Sequence, residues 1–383
     1  MHALLWGAYD TSKPRARILR EGMRAVGIDV CEIHAAVWEG VEDKSQLKGW
    51  GRRLQMLARW VAAYPRLLWR LGRAPRPDLL VVGYPGVLDA FLASVVGRIR
   101  NIPVVWDVFI SVYDTVVEDR KMLRPGSLLA RLLYRVERSA LRRVDLAFMD
   151  TRAHARRIES LFGLQPMSCG AVWVGTETER FAGAQPPVPR APDAAMKVLF
   201  YGQFIPLHGI ATIVEAARLV ADLPIEWTLV GRGQESDRIR DMLEADPLST
   251  IHRVEWVPYD KLREWLAAAD VCLGIFGDSA KAASVIPNKV FQIMTAGRPL
   301  ITRDSPAIRE WLQPSSGCVY LVPAADPLAL ADAVREHFAA GGWRRGVSCH
   351  QTTRKAVDHA AIGAQFLELV HESRLMDRAR RHD

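Results

Sequence analysis

The stretch Lys197-Val-Leu-Phe-Tyr-Gly-Gln-Phe-Ile-Pro-Leu-His-Gly-Ile210 decides the fold. An apolar run ends on Gly202, a short loop follows, and Gly209 opens a segment with helical spacing. Glycines there let main-chain N–H groups come close to a ligand. A helix N-terminus adds unpaired donors and partial positive charge, which suit a phosphate. His208 supplies a further donor or a proton. The same strand–glycine–helix pattern spreads outward in both directions. Downstream, strands are expected at 225–230, 251–256, 271–275, 300–302 and 319–322. Helices at 210–220, 234–244, 259–268, 289–296, 307–312 and 327–339 alternate with them. Upstream, strands at 3–7, 29–34, 78–82, 104–110 and 146–149 alternate with helices ending near 25 and at 87–99, 128–142 and 153–162. Alternation at this spacing predicts βαβ units and parallel sheets, with ligands at the carboxyl ends of the strands. The expected fold class is therefore α/β, with two doubly wound Rossmann-like domains.

The segment from Phe181 to Asp193 carries four prolines, which suit neither a helix nor a sheet interior. It sets the expected boundary between a first domain, residues 1–183, and a second, residues 184–359. A tail helix at about 360–383 is expected to cross back onto the first domain. The chain's 383 residues suit two domains of roughly 180 each. No apolar run is long enough to span a membrane. The first residues read as a strand rather than a signal peptide. The five cysteines (Cys31, Cys169, Cys272, Cys318, Cys349) form no CxxC pair and are expected to be buried or idle thiols with no metal among them.

Charge is unevenly placed. Residues 1–180 hold 28 Lys/Arg against 19 Asp/Glu, a net of +9, whereas the rest holds 23 against 24. Such asymmetry points to an anionic partner for the first half, either nucleic acid or a membrane surface. The expectation adopted is a membrane surface, with no nucleic acid. The stretch 48–76 is its candidate: it is basic and carries Trp50, Trp60 and Trp69. An ordinary domain helix with inward tryptophans is the alternative.

Three further pieces carry candidate chemistry. Leu229-Val-Gly-Arg-Gly-Gln234 is a second glycine turn after a strand, and Arg232 there suits a phosphate. In 274–299 a strand runs into a loop with Lys281, and Pro287 prepares a helix start. Asn288 is the expected cap, and Lys289 and Gln292 lie three apart on one helix face. An anion held by main-chain donors and Lys281, with Gln292 reaching a sugar hydroxyl, fits this layout. In the first half, Gly7 ends a strand, and Asp107 and Asp114 sit at or beyond the end of another. They are candidates for orienting an acceptor hydroxyl or acting as general base.

In these residues the C-terminal half resembles family 4 glycosyltransferases of the GT-B fold. The resemblance runs over about 197–312: Gly202 and Gly209, Val-Gly-x-Gly at 230–233, Ala-Asp-Val at 269–271, and Pro-x-Lys followed by Ala-Gly at 287–297. The N-terminal half resembles the family's acceptor domain through Gly7, the Asp107 strand end and Gly175. The resemblance implies two domains facing across a cleft and a retaining, hexosyltransferase-like reaction. It implies a UDP- or GDP-sugar donor, no metal and no other cofactor, and a glycan or lipid-linked acceptor in surface polysaccharide or glycolipid synthesis. In the family's pattern the donor phosphate takes the acceptor proton, leaving Asp107 and Asp114 to position the acceptor. The absence of any DxD triplet agrees with a reaction without metal. The expected location is the cytoplasm, peripheral on the inner face of the cell membrane. The chain departs from the family at four positions. Gln203 and His208 stand where Arg and Lys usually hold the diphosphate, and Gln292 and Ser284 stand where two glutamates are usual. Lys281, Lys289 and Arg232 are the candidates to compensate. These departures keep two alternatives open: a degenerate binding or scaffold protein, or a nucleotide-sugar epimerase or hydrolase.

Overall fold

The structure is a computed structural model. It describes every residue except 38–49, 183–190, 192, 346–348, 351, 352, 374 and 376–383, and for 50–57 and 354 the main chain only. The chain divides into two compact units: Met1–Val174 with His359–Asp383, and Gly175–Asp358. Most of the proline-rich stretch from Phe181 to Asp193 lies outside the described residues, as does the end of the expected tail helix.

In the first unit the strands are β1 (His2–Gly7), β2 (Asp29–His34), β3 (Leu79–Val82), β4 (Val104–Phe109), β5 (Leu146–Met149) and β6 (Cys169–Ala171). The helices are α1 (Pro14–Ala25), α2 (Trp50–Arg73), α3 (Val87–Arg100), α4 (Leu128–Leu141) and α5 (Arg152–Phe162). All pairings are parallel, in the order β2-β1-β3-β4-β5-β6. Side chains alternate between the faces, as the two-residue strand period requires. Leu4, Trp6, Leu80, Val82, Val104 and Trp106 pack with α2, α3, α4 and α5. Ala3, Leu5, Leu79, Val81, Val105 and Phe148 pack with α1 and a helix from the chain's other end.

The second unit opens with α6 (Thr178–Phe181) and continues through β7 (Met196–Tyr201), α7 (Ile210–Leu219), β8 (Ile225–Val230), α8 (Ser236–Ala245), β9 (Ile251–Val254), α9 (Leu262–Ala268) and β10 (Val271–Leu273). Then come α10 (Ala280–Ser284), α11 (Asn288–Thr295), β11 (Leu300–Arg303), β12 (Val319–Val322) and α12 (Pro327–Ala340). The tail helix α13 (His359–Glu372) returns to the first unit and packs on α1. A Cβ on Gly22 or on Gly363 would run into the backbone of the other helix, so only glycine permits this approach.

The strand order of the second sheet is β12-β11-β10-β7-β8-β9, all parallel. Its topological switch falls between β7 and β10, where chain direction reverses outward from the middle. Among the described residues, no helix is long and apolar enough to cross a membrane.

Several local expectations are corrected. The loop after β10 contains α10, capped by the Ser279 hydroxyl, which accepts from the Ala282 N–H. The helix expected at 307–312 is one 3₁₀ turn, Ile308–Glu310. The loop after β4 holds a π-helical turn, Asp114–Asp119. Two cysteines are not idle thiols: Cys318 and Cys349 form a disulfide with Cα atoms 5.7 Å apart. Cys318 precedes β12, and the Cys349 N–H donates to the Gly297 carbonyl before β11, which brings the two sulfurs together.

Candidate active site

The switch between β7 and β10 places two loops side by side. The β7 loop runs from Gly202 to Gly209, both at positive φ, and the β10 loop begins at Gly274. They touch through glycine. A Cβ on Gly209 would sit 2.7 Å from the Gly277 nitrogen, and one on Gly277 would collide with the carbonyls of Pro206 and Leu207. The β8 turn closes in the same way, since a Cβ on Gly231 would strike the Gly202 carbonyl. Three glycine-lined loops thus converge. The Arg303 guanidinium braces one of them by donating to the carbonyls of Gly277 and Ser279.

The residue that stands out is Lys289, in the first turn of α11. It is 5% exposed, and its Nζ has no hydrogen-bond partner among the described residues. The ammonium lies 3.8 Å from the centroid of Phe200. A Cβ built on Gly202 would meet that Nζ at 2.9 Å and His208 Cε1 at 3.1 Å. Gly202, His208 and Lys289 therefore share one spot at the end of β7. Burial holds the Lys289 ammonium well below its ordinary pKa. His208 is fixed by its own loop: its Nδ1 bonds the Gln203 carbonyl, and its ring meets Phe200 edge-on.

The other predicted donor residues are placed as follows. Pro287, not Asn288, occupies the cap position of α11, and Asn288 begins the helix without a side-chain cap bond. The Gln292 amide is engaged by protein groups at both ends. It accepts from the Tyr201 hydroxyl at 2.9 Å and donates to the Tyr259 hydroxyl at 3.2 Å. Tyr259 in turn donates to Glu177 at 2.8 Å. This Tyr–Gln–Tyr–Glu chain anchors α11 from below. No sequence motif marks it, although Tyr201 stands just before Gly202. Lys281 is buried on α10, away from the surface. Arg232 is exposed in the β8 turn. Gln203 is half-buried beside Gly202.

In the first unit, the residues proposed to handle the acceptor proton are occupied. Asp107 is held by one edge of the Arg15 guanidinium, with Nε and Nη2 donating to its two carboxylate oxygens at 2.9 and 3.0 Å. Arg15 also donates to the carbonyls of Val172 and Trp173. Burial pushes the Asp107 carboxyl up against the pull of Arg15. Asp114 is buried and ion-paired to Arg157 at 2.5 Å. Neither is an open base. Gly7 is needed for a local reason, since a Cβ there would sit 2.6 Å from the Asp89 carboxyl carbon. Asp89 accepts from the Tyr64 hydroxyl and the Ala8 N–H, and its burial raises its carboxyl to about 6.

The expected membrane segment is also reassigned in part. On α2, Tyr64, Leu67 and Leu71 face the sheet, and Trp60 packs against that core edge-on to Tyr64. Trp69 is exposed beneath the Arg73 guanidinium, 4.2 Å from its ring centroid. The Trp50 side chain and residues 48 and 49 lie outside the described residues. As for metals, His2, Asp29 and Cys31 bring their ligand atoms within 4.8 Å of one another. They sit at or near the amino ends of β1 and β2, remote in the sheet from the strand ends that carry ligands in such folds.

Two family matches cover most of the chain. Residues 195–339 match the family described as "Glycosyl transferases group 1", and residues 12–167 match "Glycosyl transferase 4-like domain". The chain belongs to the family 4-like glycosyltransferases of the GT-B fold. No curated protein matches it. Solved structures share the fold at low identity. Sucrose-phosphate synthase from Thermosynechococcus elongatus is 18% identical with a TM-score of 0.69, over 97% of this chain and 98% of that one. The catalytic domain of starch synthase IV from Arabidopsis thaliana, bound to ADP and acarbose, is 11% identical with a TM-score of 0.69 over the same shares. Anabaena Alr3699/HepE in complex with UDP-glucose is 12% identical, with a TM-score of 0.63 over 97% and 100%.

Proposed function

We propose that the chain moves a sugar from a nucleoside-diphosphate sugar to a hydroxyl acceptor, and that Lys289 receives the donor diphosphate. The carrying observation is the buried Lys289 ammonium, without a hydrogen-bond partner among the described residues and set beside Gly202 at the sheet's switch point. A buried charge of this kind costs several kcal/mol in an apolar setting unless an anion joins it. A diphosphate supplies the anion, and the first-turn amides of α7 and α11 supply further donors. His208 borders the same spot and supplies the hydrogen-bonding edge that replaces the family's usual lysine.

Transfer then follows by leaving-group stabilisation. Positive charge and helix-terminus amides hold the departing diphosphate as its charge develops. Asp107 and Asp114 are committed to Arg15 and Arg157. This supports a retaining course in which the donor phosphate takes the acceptor proton. The absence of a DxD triplet supports a reaction without metal. UDP and GDP are the proposed leaving nucleotides, and a glycan or lipid-linked alcohol in surface polysaccharide or glycolipid synthesis is the proposed acceptor.

The test is calorimetric titration of UDP, GDP and ADP into the intact chain and into Lys289→Met, each with EDTA. Binding by the parent and marked weakening in the variant are expected. Binding of none of the nucleotides, or equal affinity in both proteins, overturns the assignment. Transfer assays on lipid-linked acceptors, with NMR of the product anomer, test retention.

A further inference from the structure

The solvent face of α4 is apolar where a surface helix is ordinarily polar. Leu128 is 85% exposed, and Leu129, Leu132 and Val136 are all more than 40% exposed. These residues stand on one side of the helix, at i, i+1, i+4 and i+8. The core-facing side carries Ala130, Ala140 and Leu141, together with Glu137. The neighbouring α3 adds Val95 and Ile99, the latter 78% exposed, with Arg98 on the same face. Leucines in these positions do not serve this unit's core.

The charges around this face have one sign. Lys121, Arg124, Arg131, Arg135 and Arg142 are all exposed. The only acid between 121 and 143 is Glu137, which is turned inward to accept the N–H groups of Val112 and Tyr113 at 3.0 and 2.8 Å. Arg131 and Arg135 flank the leucine row, one turn apart.

We infer that the α4 face, with the adjoining edge of α3, is a docking surface for an anionic lipid bilayer. The leucines enter the boundary between headgroups and acyl chains, and the arginines reach the lipid phosphates. Long arginine stems let the charge stay at headgroup level while the helix sinks. Charge complementarity decides against a second copy of this chain, since an isologous contact would bring arginines against arginines with no acid on the face to separate them. The face also presents a helix ridge, which a bilayer accepts without a matching groove. The inference stands apart from the donor site, because vesicle binding needs no nucleotide. The α4 face is separate from that of α2, where Val61 and Trp69 are exposed beside Arg59 and Arg66.

The test is sedimentation of the intact chain with vesicles of phosphatidylcholine alone, and of phosphatidylcholine with an equal amount of phosphatidylglycerol, at low and high salt. The parent is expected to sediment with the mixed vesicles only and to detach as salt rises. Leu128→Ser/Leu132→Ser is expected to lower the partition at least about tenfold without adding charge. Arg131→Gln/Arg135→Gln is expected to flatten the salt dependence. All four positions are exposed, and circular dichroism checks that each variant is folded. Failure of the parent to bind mixed vesicles at low salt overturns the proposal, and so does unchanged binding by the serine variant. Sedimentation velocity is the final arm. A dimer that the serine variant splits would assign the face to a second copy instead.

Discussion

The two sheets treat charge at their ligand ends in opposite ways. At the end of β4 the first unit buries Asp107 inside the fork of Arg15, and beyond it Asp114 is buried against Arg157. At the end of β7 the second unit buries an ammonium and gives it an aromatic face but no carboxylate. A closed pair is complete without a ligand and contributes mainly to the position of its own loops. An open charge raises the energy of the empty protein and lowers that of the filled one. The contrast separates groups that hold the scaffold from a group proposed to meet substrate, though Arg15, Asp107, Asp114 and Lys289 are all buried.

The largest test of the contrast is Arg15→Met. It leaves Asp107 buried without its partner and is expected to cost about 3–5 kcal/mol in denaturant unfolding. The double change Arg15→Met/Asp107→Leu is expected to recover much of that loss. A single variant as stable as the parent would show that the pair does not hold the scaffold. Lys289→Met is expected to act in the opposite sense. The empty variant should be at least as stable as the parent, whereas affinity for a nucleoside diphosphate should fall by about 2–3 kcal/mol, roughly 30- to 150-fold. Because the folded pKa of Lys289 is depressed, the empty folded state holds fewer protons than the unfolded chain. Its contribution to stability therefore improves as pH rises towards the unfolded lysine pKa. Nucleotide binding should then take up part of a proton, read from calorimetry in buffers of different ionisation heat, and the variant should not.

Glu137 gives the opposite pH slope. Burial raises its carboxyl from 4.5 to about 7. The folded state keeps a proton that the unfolded chain has lost between these values. Stability is fullest below the unfolded pKa and falls as pH rises through about 7, by at most about 3 kcal/mol. Thermal unfolding across this range should show that fall, and Glu137→Gln should flatten it. The smallest effect is expected from Gln203→Arg, which restores a cation beside Gly202. If Lys289 already meets the diphosphate, the gain should stay below about 1 kcal/mol. A far larger gain would mean that the parent site lacks its principal cation.

Much of this molecule was legible in the strand and helix periods. Strands such as Asp29–His34, Ile225–Val230 and Val319–Val322 fall where alternation and glycine punctuation put them. The donor loops were legible because glycine at positive φ leaves a mark in composition. Pairing was not legible. Arg15 and Asp107 are 92 positions apart, and only the folded sheet brings them together. The engagement of Gln292 by Tyr201 and Tyr259 was hidden for the same reason. On α4, spacing shows that the leucines share a side but not that this side faces outward. A buried core helix and an interfacial one have similar patterns until their neighbours are known.

The glycine contact between α1 and α13 bears on how the chain is made. The strands of the first unit leave the ribosome first, but the helix that covers Ile18, Leu19 and Met23 is synthesised after all of the second unit. The second unit is therefore an insertion that can finish folding while the first still shows an uncovered apolar face. During that interval the older half of the molecule is the immature one. The cover over that face comes from a helix more than three hundred positions away from the residues it protects.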